Sequence, residues 1–349
     1  MIPEIDHIIT TAIHERIFPG AIVLVAQDTH ILHAAAYGTT MYDDPGTMPV
    51  TLDTIYDLAS LTKVFTATAA LRLHDAGMLP LDQPIQHWLP ALHAPDITVR
   101  HLLSHSSGLT VQLAPLARAG AATIRTMVYT ATPRHPPGRI VEYANLNTLL
   151  LGDVVTAIYG GSLADALTEL VCVPLGLHKT RFNPPTEWRA TIAPTEWDWE
   201  WRGGLVHGVV HDESTYALGG VAGHAGLFGP AAEALRLVQL FIQEGAWQDR
   251  QLLRAGTALA ALTPQPASDT SRLVSGLGWM LHRPYMGSAI HHGFGHSGFT
   301  GPLLIGIPQR RLAIVLLCNR TYPKRTPPPY RHHAIAAMVV DAIIQAIDR

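Results

Sequence analysis

The chain has 349 residues, 48% hydrophobic and only 15% charged, with a formal net charge of −3. That is enough apolar chain for one large or two medium domains with a sizeable core. No basic stripe interrupts the near-neutral balance, which excludes nucleic acid and anionic membrane as expected partners. Met1 to Asp6 has neither a basic start nor an apolar stretch, and no apolar run is long enough to span a bilayer. As given, the sequence reads as cytoplasmic, or as periplasmic or secreted if a leader was removed. Cys172 and Cys318 lie in apolar contexts and read as small buried hydrophobes, with a bridge between them left open.

From Ile2 to Phe18 apolar residues recur at Ile5, Ile8, Ile9, Ala12, Ile13 and Ile17, a helical period stopped by Pro19-Gly20. Ala21–Gln27 and His30–Tyr37 read as a hairpin around Asp28-Thr29. A polar turn from Asp53 to Asp57 then gives way to a helix from Ser60 to Ala76, stopped by Gly77. Thr98 to Gly108 reads as a short helix with Thr98 as its N-cap. Helical segments broken by Pro and Gly follow to about Pro185, with few strand signals. Strands return at Gly276–Met280, around His296, at Pro302–Pro308 and at Leu312–Cys318, the last two joined through Gln309-Arg310-Arg311. His332 to Ile347 reads as a final helix. Strands at both ends with helices between them predict an α+β fold, one antiparallel sheet built from both termini with a mostly helical domain inserted. The expected division is a sheet domain of residues 1–57 and 205–349 and a helical domain of residues 58–204, with the active site between them.

The chemistry concentrates first at Ser60-Leu-Thr-Lys63, the only Ser-x-x-Lys in the chain. Residues three apart share a helix face, so Lys63 lies one turn along beside the Ser60 hydroxyl. A serine hydroxyl needs a base to become a nucleophile, and lysine is a base only when neutral. Its pKa must then fall to roughly 7–8, a cost of about 3–5 kcal/mol that an apolar surround and a helix N-terminus can meet. Alone, the same residues also suit an N-cap serine followed by a solvated lysine.

Tyr143-Ala-Asn145 is the only Tyr-x-Asn in the chain. A phenol near Lys63 can pass a proton to a leaving group, and the amide of Asn145 can hold a substrate carbonyl. The alternative is a turn that caps the next helix. Gly295-His296-Ser297-Gly298-Phe299-Thr300-Gly301 suits an edge strand whose small residues let a substrate backbone approach and whose N–H groups face an oxyanion. By itself it is equally a glycine-rich strand.

Together and in this order, the three segments resemble the three boxes of the class C β-lactamase and penicillin-binding-protein superfamily of serine hydrolases. The resemblance covers nearly the whole chain and includes Phe18-Pro-Gly-Ala21, Asp57–Lys63, His101–Leu109, Pro174–Leu177 and Gly219–Phe228. It implies that Ser60 is acylated, with Lys63 as its base partner and Tyr143 as acid or base for the leaving group and the deacylating water. Asn145 would contact a substrate carbonyl and the lysine. Ser297 would bind a substrate carboxylate or carbonyl, Gly298 would give clearance, and the N–H groups of Ser60 and Phe299 would form the oxyanion hole. Ser106 and Ser107 would belong to a structural turn.

His296 departs from the lactamases, which carry lysine there. A histidine can be neutral near pH 7, so penicillin recognition and depression of the Lys63 pKa both weaken. His296-Ser-Gly still offers a hydroxyl and a possible positive charge, which favours a peptide ending in carboxylate. Ile192–Glu196, Arg202–Asp212 and Gly219–Phe228 further resemble a branch associated with cell-wall peptide turnover.

The resemblance therefore implies a serine hydrolase of small amides or esters, first of D-amino-acid peptides or muropeptides, with no cofactor. Short-chain esterase, weak β-lactamase and idle binding module are the alternatives. Gly295-His-Ser-Gly-Phe299 lacks the second glycine of an α/β-hydrolase elbow. His207, His211, Asp212 and His224 lie close enough to suggest a metal set, but the glycines around them argue for a loop, and no metal is expected.

Overall fold

The computed structural model describes residues 1–266 and 273–349. The run Ala21-Ile-Val-Leu-Val-Ala26 is continuously apolar because its strand is covered on both faces. The strands of the main sheet are β1 (Gly20–Gln27), β2 (His30–Gly38), β3 (Val274–Ser275), β4 (Met280–Leu281), β5 (Phe294–Ser297), β6 (Leu303–Ile307) and β7 (Leu312–Cys318). Among the described residues they form one antiparallel sheet in the order β3-β4-β5-β6-β7-β1-β2. Ala21 of β1 pairs with Cys318 of β7 and Gln27 with Leu312, so the two ends of the chain close on each other. The predicted α+β fold, with an antiparallel sheet assembled from both termini, is the observed one.

Alternate residues of these strands supply the two layers of the core. Ala21, Val23 and Val25, with Leu303, Ile305 and Ile314, pack with helices α1 (Pro3–His14) and α6 (Arg331–Ile347). Ile22, Leu24 and Ala26, with Leu304, Ala313 and Val315, join the opposite layer, which includes helix α5 (Ala231–Ile242) and extends into the helical region. Helix α2 (Thr62–Asp75) is buried at every position from Thr62 to Leu71, as expected for a helix that other elements surround, and its buried Thr62, Lys63, Thr66 and Thr68 each hydrogen-bond within the protein. It packs against helix α4 (Asn145–Tyr159), and a small sheet of Ile55–Asp57, Leu227–Pro230 and Arg181–Phe182 leads the chain into it.

Three boundaries differ from the sequence expectation. The first helix ends at His14 rather than Phe18, because Arg16 turns into the left-handed region at φ 55°. The helix expected to reach Gly108 is only α3 (Val99–Leu103), capped at Thr98 as predicted, since His105 adopts φ 54° and stops it. Gly276–Met280 is not one strand: Gly276 to Gly278 form the turn between β3 and β4, with Gly278 at φ 87°. Among the described residues no single helix is long and apolar enough to cross a membrane.

Candidate active site

Ser60 sits on a 3₁₀ turn, Ala59–Leu61, that feeds directly into α2. Ala59 adopts φ 45°, a left-handed conformation that alanine rarely takes. The buried carboxylate of Asp57 holds it there, accepting the N–H of Ala59 at 2.8 Å and that of His211 at 2.7 Å. The far side of this turn is met by the end of β5. Thr300 Oγ1 donates to the Asp57 carbonyl at 2.9 Å, and a Cβ on Gly298 would lie 2.9 Å from the Leu58 carbonyl. The clearance expected of Gly298 is therefore clearance for the protein itself: it lets the His296 strand close on the Ser60 turn.

Lys63 is 1% exposed, and its Nζ lies 2.9 Å from Ser60 Oγ and 3.0 Å from the carbonyl of His224. Burial pushes its pKa down to about 7, against a weaker opposing pull from Asp212. When the amine is neutral, the 2.9 Å contact runs in the productive sense, with the serine O–H donating to nitrogen. Both protein hydrogen bonds of Lys63 are accounted for by Ser60 and His224. The expected contact between Asn145 and the lysine is not made, because Asn145 opens α4 with its side chain on the cleft.

Tyr143 completes the group from the loop before α4. Its hydroxyl faces Ser60 closely enough to be influenced by it, and its ring centroid is 5.0 Å from Lys63 Nζ. Tyr143 is 37% exposed along its ring, but desolvation of its hydroxyl at the base of the cleft raises its pKa above that of a free phenol, so it stands protonated as a donor. The residue that terminates α3 holds this loop. His105 Nδ1 accepts the Ala144 N–H at 3.3 Å and the Asn147 amide at 3.2 Å, and its ring lies 4.8 Å from that of Tyr143. Burial and then the Lys63 charge push His105 down to about 3, which keeps Nδ1 free to accept.

His296 corrects an expectation. It is 2% exposed, and burial followed by the Lys63 charge drives its pKa well below the ordinary value, so it carries no positive charge near neutral pH. Its Nδ1 lies 3.0 Å from the Ser297 carbonyl and must donate to it. Nε2 is then a bare acceptor, and it is buried without a partner among the described residues. The segment is also not an edge along its whole length. β4 pairs with Phe294 and Gly295 and stops there, which leaves His296 and Ser297 open on that side. The N–H groups of Ser60 and Phe299 have no protein acceptor among the described residues, as oxyanion donors require.

Ser60, Tyr143, Asn145, His296, Ser297, Gly298 and Phe299 thus line one cleft of about 610 Å³, with Lys63 directly beneath Ser60. Two charged residues there were given no part in the hydrolytic site by the sequence. Arg283 lines the cleft, and among the described residues no carboxylate pairs with it; its Nη2 meets only the Met280 sulfur, at 2.8 Å. Asp212 is the other. It accepts from Ser214 Oγ at 2.6 Å, the Thr215 N–H at 2.8 Å and His224 Nε2 at 3.2 Å, and these outweigh burial to hold its carboxyl well below the usual range. The three histidines suspected of sharing a metal each have a separate partner: His207 the Ile192 carbonyl, His211 Glu196 and His224 Asp212. Cys172 and Cys318 are free and buried.

The three boxes on one buried cleft define an SxxK-type serine hydrolase, and comparison with known proteins agrees. A family model described as "Beta-lactamase" matches residues 5–338, and the chain belongs to that family. An Escherichia coli K12 protein named "Putative D-alanyl-D-alanine carboxypeptidase" is 31% identical over 347 residues, covering 87% of this chain and 79% of its own. Among solved structures, "EstCE1, a hydrolase with promiscuous acyltransferase activity" superposes with a TM-score of 0.78 at 22% identity, over 97% of this chain and 98% of its own. A class C β-lactamase superposes with a TM-score of 0.75 at 21% identity, covering 97% of each chain. These two structural likenesses establish the fold. With the family match they make this chain a β-lactamase-fold serine hydrolase.

Proposed function

We propose that the protein is a serine peptidase that removes a carboxylate-terminated D-amino acid from a peptide or muropeptide through an acyl-enzyme on Ser60. The observation that carries this reading is the pairing of a buried Lys63, with its pKa lowered to about 7, with an Arg283 that lines the same cleft and has no carboxylate partner among the described residues. Neutral Lys63 takes the proton of Ser60 as Oγ attacks the substrate carbonyl. The oxyanion falls to the N–H groups of Ser60 and Phe299. Tyr143 donates its proton to the leaving amine as the C–N bond breaks and regains one from the Lys63 ammonium. Water then attacks the ester, its proton passing back through the same pair, and Ser60 leaves with its hydrogen restored.

In this reading the anionic end of the substrate lies on Arg283 and the Ser297 hydroxyl. Neutral His296 accepts a hydrogen bond through Nε2 and supplies no charge. The name of the Escherichia coli relative supports the peptidase assignment. The test is parallel incubation with a D-Ala-D-Ala peptide, p-nitrophenyl butyrate and nitrocefin, followed by mass spectrometry of Ser60. Release of D-alanine with an adduct on Ser60 is expected. Ester cleavage without peptide cleavage would replace this reading with an esterase.

A further inference from the structure

A second groove of about 790 Å³ opens beside the catalytic cleft, and Ala114, Glu213 and Arg325 line both. Its floor carries an unusual feature for a soluble surface: Trp199 is 69% exposed. The Trp199 ring is stacked on Trp197, with centroids 5.0 Å apart and planes within 9°. The lower ring is well anchored. Trp197 lies on a strand, Glu196–Asp198, paired with Gly204–Val206, and its N–H donates to the Pro323 carbonyl at 2.9 Å. The outer indole is thus a preformed flat apolar face. Both kinds of hydrogen-bonding group line the same groove: Glu200 as an acceptor, Arg118 and Lys324 as donors, and Asp198, which already accepts the Trp201 N–H at 3.0 Å.

We propose that this groove is a subsite for a pyranose ring on the acyl side of the substrate, with Trp199 as the stacking face. A pyranose presents a flat C–H face edged by hydroxyls that both donate and accept, which matches a flat indole inside a mixed rim. A bare peptide backbone has no such face. The direction follows from the lining residues. Arg283 borders the catalytic cleft and not the second groove, whereas Arg325 and Glu213 border both. A substrate with its leaving carboxylate on Arg283 and its scissile carbonyl at Ser60 therefore runs out past Arg325 towards Trp199. This orientation rests on the peptidase reading above; the shelf itself does not.

The test uses one pentapeptide ending in D-Ala-D-Ala, with and without an N-acetylmuramyl group on its N-terminus. The intact enzyme should favour the sugar-bearing form in kcat/KM by about tenfold, and Trp199→Ala should bring that ratio down to about two, as expected for losing roughly 1 kcal/mol of stacking. A readout independent of turnover is the tryptophan fluorescence of Ser60→Ala protein titrated with both peptides. There the sugar-bearing form should bind more tightly, and adding Trp199→Ala should erase the difference. Equal affinity for the two peptides, or a preference that survives Trp199→Ala, overturns the proposal. A preference in the binding experiment without hydrolysis of either peptide sustains the subsite and removes the peptidase reading instead.

Discussion

Two groups of buried ionisable side chains flank the cleft, and they are built on opposite principles. In one, every charge has a partner. Glu196, 4% exposed, accepts from His211 at 2.9 Å and from Arg325 at 2.5 Å, and Arg325 reaches on to Glu213 at 2.6 Å. These contacts outweigh burial and hold Glu196 down to about 2. In the other, Lys63, His296 and Arg283 have no carboxylate in contact among the described residues, and burial lowers the pKa of all three. Paired buried charges position structure; unpaired ones are kept only where their altered protonation is useful. Phe299 stands between the two, its ring 5.6 Å from His211 and its amide on the cleft.

The sharpest way to break that contrast is to remove the reacting atoms on the unpaired side. Ser60→Ala should abolish both turnover and covalent labelling. Lys63→Ala should lower kcat by at least about 10³-fold, since members of such a unit fail together rather than additively. Steady-state kinetics and intact-protein mass spectrometry read both outcomes. Residual labelling near the native rate in Lys63→Ala would show that another group activates the serine.

Stability should move in opposite directions on the two sides. Holding Lys63 near a pKa of about 7 instead of 10.5 corresponds to about 5 kcal/mol of unfavourable burial. Lys63→Met should therefore stabilise the fold, by on the order of 2 kcal/mol, while leaving it inactive. Glu196→Ala should destabilise by about 3 kcal/mol, because it strands His211 and leaves Arg325 with Glu213 alone. The Glu196 contribution has a pH signature. Its folded pKa lies below the ordinary 4.5, so the stabilisation is complete above that value and is lost as pH falls towards about 2. Denaturant melts of the two variants at neutral pH, and of the parent protein across that acid window, measure each effect.

The same contrast explains what could be read from the sequence. Ser60 and Lys63 are legible because their relation is local: three residues on one helix face. Tyr143 and His296 are legible through a family pattern whose order along the chain survives although its geometry is tertiary. Arg283 was invisible, because only the fold brings it to the cleft; Asp212 was legible only as a member of a suspected metal set, and its pull on Lys63 is tertiary. The early end of α3 was missed for a related reason. Gly108 is the obvious stop, yet the chain turns at His105, whose ring is needed beneath Tyr143. The strand expected at Gly276–Met280 failed because its glycines serve a turn: a Cβ on Gly276 would lie 1.9 Å from the Ala261 carbonyl.

Arg283 tests whether an unpaired charge faces substrate. Arg283→Gln should raise KM for a D-Ala-D-Ala peptide by about 10- to 100-fold, the loss of one charge-assisted contact of roughly 1.5–3 kcal/mol. A neutral ester should be affected several-fold less. Equal losses on both substrates would assign Arg283 to the architecture of the cleft rather than to recognition.

The smallest effect probes Asp212, a carboxylate whose charge acts on the lysine without touching it. With Lys63 as the base, kcat/KM should rise as pH passes through about 7 and the ammonium loses its proton. The curve should then stay flat well into the alkaline range, because Tyr143 holds its proton far above the ordinary phenol value. Asp212 raises the Lys63 pKa, opposing burial. Its conversion to Asn keeps acceptors for Ser214 and Thr215 while removing the charge, so the acid limb should move to lower pH by about half a unit to one unit. A purely structural role for Asp212 predicts a lower plateau at an unchanged midpoint, and a pH profile of the Asp212→Asn enzyme separates the two. Activity that instead falls as pH passes through about 7, with that falling limb moving to lower pH in Asp212→Asn, would mean that Lys63 acts as an ammonium and that the base must be sought elsewhere.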